Sequence, residues 1–228
     1  MKFVSIVVKK EFFVLIGVVA LLVLAGCIET KEPSPKEFEK LGFIGCSITH
    51  NAVDGYTSLG GGKFWGVEAQ SPRSFGGGSL ILWHKQLNRG VLQGEKDYWR
   101  IFETLVRENP EIEALWWEQC SAPGMEGMSY EDNLKLLAKI KEIAPNVEIY
   151  ASPMPVFSTT EGLCVPQGVP AGWQASDDFV SRMVAEGKVK QGPILTHLPN
   201  ELTTGDGCHA NDQGKRVWGQ ELIEFFGK

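Results

Sequence analysis

The sequence predicts an α/β fold: a three-layer α/β/α sandwich built on a parallel sheet of about five strands. Two observations carry this expectation. From residue 41 onward, short apolar runs alternate with segments of helical periodicity, the order expected when helices cross over between parallel strands. The composition is that of a folded body, with 43% apolar and 22% charged residues in 228, close to the globular average. Disorder, a collagen-like repeat, a coiled coil and a multi-span membrane protein are excluded as descriptions of the whole chain.

Residues 41–46 (LGFIGC) form a short apolar run, readable as a buried first strand. Residues 50–79 are rich in glycine, with runs at Gly60, Gly61, Gly62 and Gly76, Gly77, Gly78, and read as a long loop. Residues 80–86 read as a short helix and 87–91 as a short strand. In 97–109, Tyr98, Ile101, Phe102, Leu105 and Val106 recur at i, i+3, i+4, i+7 and i+8, one face of a helix. Asn109-Pro110 ends it, because the residue before a proline resists the α conformation. Residues 112–118 (IEALWWE) read as a strand. Residues 129–144 read as a helix opened by a capping box of Ser129 and Asp132 and closed before Pro145. Residues 147–151 read as a strand, followed by a loop with Pro153, Pro155, Pro166 and Pro170. Ser176 is the expected cap of a helix over 176–186. Residues 193–198 are the last expected strand and 211–226 the last helix, with Val217, Leu222, Phe225 and Phe226 inward.

The first 27 residues read as an export signal. Lys9 and Lys10 flank an apolar run over 12–26. It is short for a membrane span, which needs about 20 residues, and suits a signal sequence. It ends in Leu24-Ala25-Gly26-Cys27, which resembles the lipobox of prokaryotic lipoproteins. That resemblance implies cleavage before Cys27 and lipid modification of Cys27. The alternative is an uncleaved anchor helix reaching back to Phe3. Either way the body is expected outside the cytoplasm, anchored to the outer face of a prokaryotic cell membrane. Residues 28–40, with Pro33 and Pro35, read as a short tether, and 41–228 as the folded domain. Beyond residue 26 there are 19 basic against 27 acidic residues. So acidic a body is a poor nucleic-acid ligand, since that affinity rests on Lys and Arg neutralising phosphates.

Ligands of parallel sheets bind beyond the C-terminal ends of the strands. After the first strand comes Gly45-Cys46-Ser47-Ile48. Before the last helix comes Asp206-Gly207-Cys208-His209. A serine hydroxyl is a weak nucleophile without a base. His209 can take its proton, and Asp206 can hold the imidazole in the right tautomer. Taken singly, Ser47 reads as a helix cap, Asp206 as a turn residue and His209 as a surface histidine. Together, in this order, they read as a catalytic triad.

These residues give the chain a resemblance to the SGNH hydrolases, the GDSL-type esterases and lipases. Gly45-Cys46-Ser47 stands where that family has Gly-Asp-Ser, and Asp206 and His209 match its Asp-x-x-His. Asn211-Asp212-Gln213-Gly214 is typical of the segment that follows. The resemblance spans residues 41–228. It implies a flavodoxin-like strand order and cleavage of a carboxylic ester, with no metal or organic cofactor required. It also implies an oxyanion hole made by the N–H of Ser47, the N–H of Gly94 after residues 88–93, and the side chain of Gln119. Gln119 takes the place of the family's Asn in Trp117-Glu118-Gln119-Cys120. Two departures stand out: Cys46 replaces the Asp of the first motif, and Gln119 replaces the Asn.

Close to Ser47, His50 and Asn51 are candidate pocket residues. The loop tryptophans Trp65 and Trp173 are candidates for stacking on a sugar. With Cys27 lipidated, four cysteines remain, enough for two disulfides in an exported body. Cys120–Cys164 is the first expected pair and Cys46–Cys208 the second. An alternative is a zinc site of Cys46, Cys208 and His209, although no pair has local ligand spacing. The glycine runs lack the pattern of a phosphate loop. The expected partners are an ester substrate, either an acylated sugar or a lipid, and the membrane through the N-terminal anchor. Two other functions stay open. One is a non-catalytic glycan-binding module with a degenerate site; the other is an acyltransferase, in which an alcohol replaces water.

Overall fold

The computed structural model describes residues 38–65, 78–120, 128–155 and 172–228, with the backbone course alone for 172–175. The expected export segment 1–27 with Cys27, the expected tether as far as residue 37, Cys164 and the Trp173 side chain lie outside the described residues. No helix among the described residues is long and apolar enough to cross a membrane.

Strands β1 (Leu41–Ile44), β2 (Ala114–Gln119), β3 (Glu148–Pro153) and β4 (Lys190–Gln191) pair in that order, all parallel. β1 and β2 are buried along their whole length, as strands covered on both faces must be. On the free edge of β1, Leu41 donates to Lys63 O at 2.9 Å and accepts from the Trp65 N–H at 2.7 Å. This makes a single parallel bridge at Phe64. The fragment stands where a flavodoxin-like sheet has its second strand, so the expected spatial order is present with that strand reduced to a bridge.

Among the described residues, six α-helices accompany the sheet: α1 (Ser47–Ser58), α2 (Leu80–Arg89), α3 (Tyr98–Glu108), α4 (Tyr130–Ile143), α5 (Gly172–Ala185) and α6 (Asp212–Phe226). Three begin at side-chain caps. The Asp97 carboxylate accepts from the Arg100 N–H at 2.9 Å. Ser129 and Asp132 exchange bonds in the expected capping box. The Asn211 side chain accepts from the N–H groups of Gln213 and Gly214, both at 3.0 Å. Each cap satisfies donors that the first helical turn leaves free.

Four expectations need correction. α1 fills part of the expected loop. Its signal is present in Ile48, Ala52 and Tyr56 at i, i+4 and i+8, flanked by Thr49 and Val53, all buried; Gly55 and the β-branched residues obscure it. The expected strand over 87–91 is absent, because α2 runs on to Arg89 and stops at Gly90, whose φ of +78° suits glycine. The apolar run 193–198 is not a strand. Leu195 and Leu198 are buried in the core, so the run reports burial, and the pairing strand β4 lies just before it. Ser176 does not cap α5 but sits inside it, where its hydroxyl accepts the Met154 N–H at 2.8 Å.

The packing of α1 on α6 matters most for the site. A Cβ on Gly55 would lie 1.7 Å from the Lys215 carbonyl oxygen, and one on Gly219 would lie 2.2 Å from the carbonyl carbon of Gly55. The two backbones therefore touch, and no side chain fits between them. α1 starts at Ser47, and α6 starts three residues after His209. This crossing sets how far apart those two side chains can be.

Candidate active site

Ser47 is the first residue of α1, just past the end of β1. The extended residue Cys46 precedes it, and the Cys46 N–H donates to the Thr49 hydroxyl at 2.9 Å. Thr49 folds back over Gly45 so closely that a Cβ there would lie 1.9 Å from its Oγ1. Glycine at 45 is therefore required by Thr49. The turn leaves the Ser47 N–H among the free donors at the positive end of a helix.

The hydroxyl of Ser47 lies 2.7 Å from His209 Nε2, and His209 Nδ1 lies 2.6 Å from Asp206 Oδ2. The other oxygen of Asp206 accepts the N–H groups of Cys208 and His209, both at 2.9 Å. Burial alone would raise the Asp206 pKa. The bonds from the His209 ring and the two backbone N–H groups, with the His209 charge, outweigh it and bring it down to about 2. Asp206 is thus an acceptor at neutral pH. The Nδ1 of His209 must carry the proton, which leaves Nε2 as the acceptor of the Ser47 O–H. The structure brings all three predicted residues together in the order a nucleophile, its base and an orienting carboxylate require.

Asn51 was expected in the pocket. Its side-chain oxygen instead accepts the Ala210 N–H at 3.1 Å, one residue beyond His209. It ties the His209 loop to the helix that begins at Ser47. His50 forms a 3.4 Å contact through Nδ1 with Asp54, one turn along α1. Its Nε2 is buried with no hydrogen-bond partner among the described residues.

Of the three expected oxyanion donors, Ser47 stands at the start of α1, and the other two are engaged or placed elsewhere. The Gln119 side chain is fully buried on the α4 side of the sheet. Its amide nitrogen donates to Asn133 at 3.1 Å and its oxygen accepts from Asn133 at 2.8 Å. A buried amide pairs with the partner the fold supplies, and here that partner is on a helix. Gln119→Leu is accordingly expected to cost about 1–3 kcal/mol, from the stranded Asn133 amide, while turnover on a short ester stays within a few-fold of the parent. Chemical denaturation beside kinetics checks both halves.

Gly94 lies in an exposed turn past the C-terminal end of α2. The opposite end of α2 is the one near the nucleophile. The Leu80 N–H donates to the Cys120 carbonyl at 2.9 Å, and Cys120 is covalently joined to Cys46. Ten helical residues span about 15 Å, which removes Gly94 from this end and puts Gly78 and Ser79 there. The signal was available in the sequence: Gly78-Ser79 precedes a helix, and a helix start supplies backbone N–H donors.

Cys120 pairs with Cys46, not with Cys164, with Cα atoms 5.8 Å apart. β1 and β2 are adjacent and parallel, with Ile44 opposite Trp117, so the cysteines just beyond their ends meet. Cys208 is also disulfide-bonded, which replaces the second expected pair as well. The zinc alternative loses its thiolates, and among the described residues no group of three or more His, Cys, Asp or Glu is placed to hold a metal ion. Trp65 is a core residue rather than a sugar platform. It is buried against Phe43 and Phe102, and a Cβ on Gly42 would lie 2.8 Å from its ring.

No family model and no curated protein matches the sequence. Solved structures do match. A GDSL-like lipase from Bacteroides thetaiotaomicron is 14% identical, with a TM-score of 0.50 over 82% of this chain and 86% of that one. A protein assigned to the GDSL-like lipases from Parabacteroides merdae is 13% identical, with a TM-score of 0.50 over 84% and 97%. One assigned as an acylhydrolase from Bacteroides fragilis is 15% identical, with a TM-score of 0.50 over 85% and 89%. Similarity at this level of identity is similarity of fold, and together with the parallel sheet it establishes that the chain has the fold of the SGNH hydrolases.

Proposed function

We propose that this protein is a serine hydrolase that cleaves carboxylic esters outside the cytoplasm, tethered to a membrane by its N-terminal segment. The observation that carries the reading is the continuous hydrogen-bonded chain from the Ser47 hydroxyl through His209 to an ionised Asp206. Ser47 Oγ attacks the ester carbonyl while its proton passes to His209 Nε2. Asp206 stabilises the imidazolium that forms. The oxyanion is held by the Ser47 N–H at the start of α1, with a second donor from the Gly78–Ser79 turn. His209 then protonates the leaving alcohol. Water, deprotonated by the same imidazole, releases the acid and frees Ser47.

The substrate is an acylated sugar or a lipid ester. The N-terminal segment favours a lipid or a surface glycan, since an anchor keeps the enzyme beside both. A binding module without turnover is the second reading. It is favoured by one observation: the Gln119 amide that would replace the family's Asn is engaged with Asn133. The test is labelling of the full-length chain by a fluorophosphonate probe, with the adduct located by mass spectrometry. An adduct on Ser47 is the expected result. A folded chain that takes no label at Ser47 would overturn the hydrolase in favour of the binding module.

A further inference from the structure

Glu118 is the one acidic or basic side chain among the fully buried described residues, and the triad does not use it. It lies on β2 opposite Ser152 of β3. On the other side, because Ile44 is level with Trp117, it is level with Gly45 at the foot of the nucleophile turn. Successive residues of a strand face opposite sides, so Glu118 faces away from the Gln119–Asn133 pair and toward α1. Neither carboxyl oxygen makes a well-formed hydrogen bond among the described residues.

Thr49 is the polar side chain that bears on it. The same hydroxyl accepts the Cys46 N–H at 2.9 Å, which leaves its own proton free to turn toward the carboxyl. From β1 the neighbours are Gly45 and the disulfide-bonded Cys46, which does not titrate; from β3 it is Ser152. The charged groups of the site, Asp206 and His209, stand on the loop before α6 and pair with each other. Burial pushes its pKa up to about 8, against a smaller opposing pull from Thr49. At neutral pH the group is therefore a neutral acid one hydroxyl away from the turn that presents Ser47.

We infer that Glu118 is a positioning residue of the nucleophile turn that supports ester hydrolysis only while it is protonated. This rests on the hydrolase reading of the site. Two effects make the charged form harmful. A buried carboxylate beneath the first turn of α1 opposes the negative charge that grows on the oxyanion there. It also pulls on the Thr49 hydroxyl, whose oxygen holds the Cys46 N–H at 2.9 Å, and so shifts the turn that aims Ser47. Neither effect operates when the proton is present.

The experiment is a pH profile of kcat/KM from pH 6 to 10 on a short acyl ester, with product acid quantified by chromatography. It uses the full chain, Glu118→Gln and Glu118→Leu, each normalised to its own value at pH 7. The parent is expected to fall on the order of tenfold with a midpoint near the Glu118 pKa of about 8. Both variants, which carry nothing to ionise at 118, are expected to lose that fall. Leucine supplies the readout if glutamine fails to fold.

Thermal unfolding gives an arm independent of activity. The raised pKa means the native state holds a proton that the unfolded state has released. Its stabilising effect is complete below the ordinary value of 4.5 and disappears as pH rises to about 8. The parent should therefore lose stability relative to both variants across that window. A variant that keeps the parental alkaline fall, or a parent flat to pH 10, overturns the inference and leaves the hydrolase standing. A parent that turns over at no pH removes the hydrolase reading and this inference with it.

Discussion

Ser47→Ala is expected to cut turnover by about 10⁴–10⁶-fold with little change in stability. Ser47 is only partly buried, and among the described residues its side chain makes one hydrogen bond, to His209 at 2.7 Å. Removing it leaves the His209–Asp206 pair and the N-terminus of α1 in place. What disappears is the hydroxyl oxygen that the proposed mechanism uses to form an acyl-enzyme. Residual activity then reflects binding and the oxyanion donors alone, because members of a triad act as a unit. Parallel kinetics of parent and variant on one ester, with melting curves to show that both are folded, decide the matter. Turnover within tenfold of the parent would mean that another group is the nucleophile.

Removing the Cys46–Cys120 disulfide, as Cys46→Ala with Cys120→Ala, is expected to destabilise the domain by about 2–4 kcal/mol. The bond closes a chain segment of 74 residues that contains α1, α2, α3 and β2, so it restricts the unfolded chain strongly. It also joins the ends of the neighbouring strands β1 and β2, where the site is built. Melting should fall by about 5–15 °C for a body of this size. Turnover at a temperature where the variant is still folded should fall as well, since Cys46 is the residue that leads into Ser47. Equilibrium denaturation of the oxidised parent and the double variant measures the first effect. A difference under about 1 kcal/mol would mean that the β1–β2 hydrogen bonds alone hold these ends together.

The Cys46 position shows how far the amino-acid order can be read. Its departure from the family's Asp is visible in the sequence, and so is its place beside the nucleophile. Its partner is not. Pairing of Cys46 with Cys120 follows from β1 and β2 being adjacent and in register, which is a fact about two segments about 70 residues apart. Gln119 teaches the same lesson. Its place at the end of β2 was legible, while its engagement with Asn133 depends on where α4 docks. Asn51 was read as a pocket residue for being near Ser47 in sequence, and it is near Ser47 in space; the docking of α6 against α1 turned it to the Ala210 N–H.

Trp65 and Gly94 failed for related reasons. An aromatic in a glycine-rich stretch reads as loop, but Gly42 leaves a space in β1 that the Trp65 ring fills from the neighbouring edge. The short motif around Gly94 matched by spacing, yet α2 is oriented so that its other end faces the nucleophile.

By itself the sequence determined the alternation of strands and helices, the capping box at Ser129, and the three residues Ser47, Asp206 and His209. These rest on hydrophobic periodicity, on hydrogen bonds that reach three or four residues, and on motifs at the ends of predicted elements. The tertiary structure alone decided which cysteines join, that Gln119 is occupied, that Glu118 is a buried acid beneath the nucleophile turn, and that Ser47 and His209 stand 2.7 Å apart. Those outcomes depend on strand register and on the contact of α1 with α6 at Gly55 and Gly219. Such contacts join residues distant in the chain, and their geometry follows from packing of the whole core rather than from any local stretch.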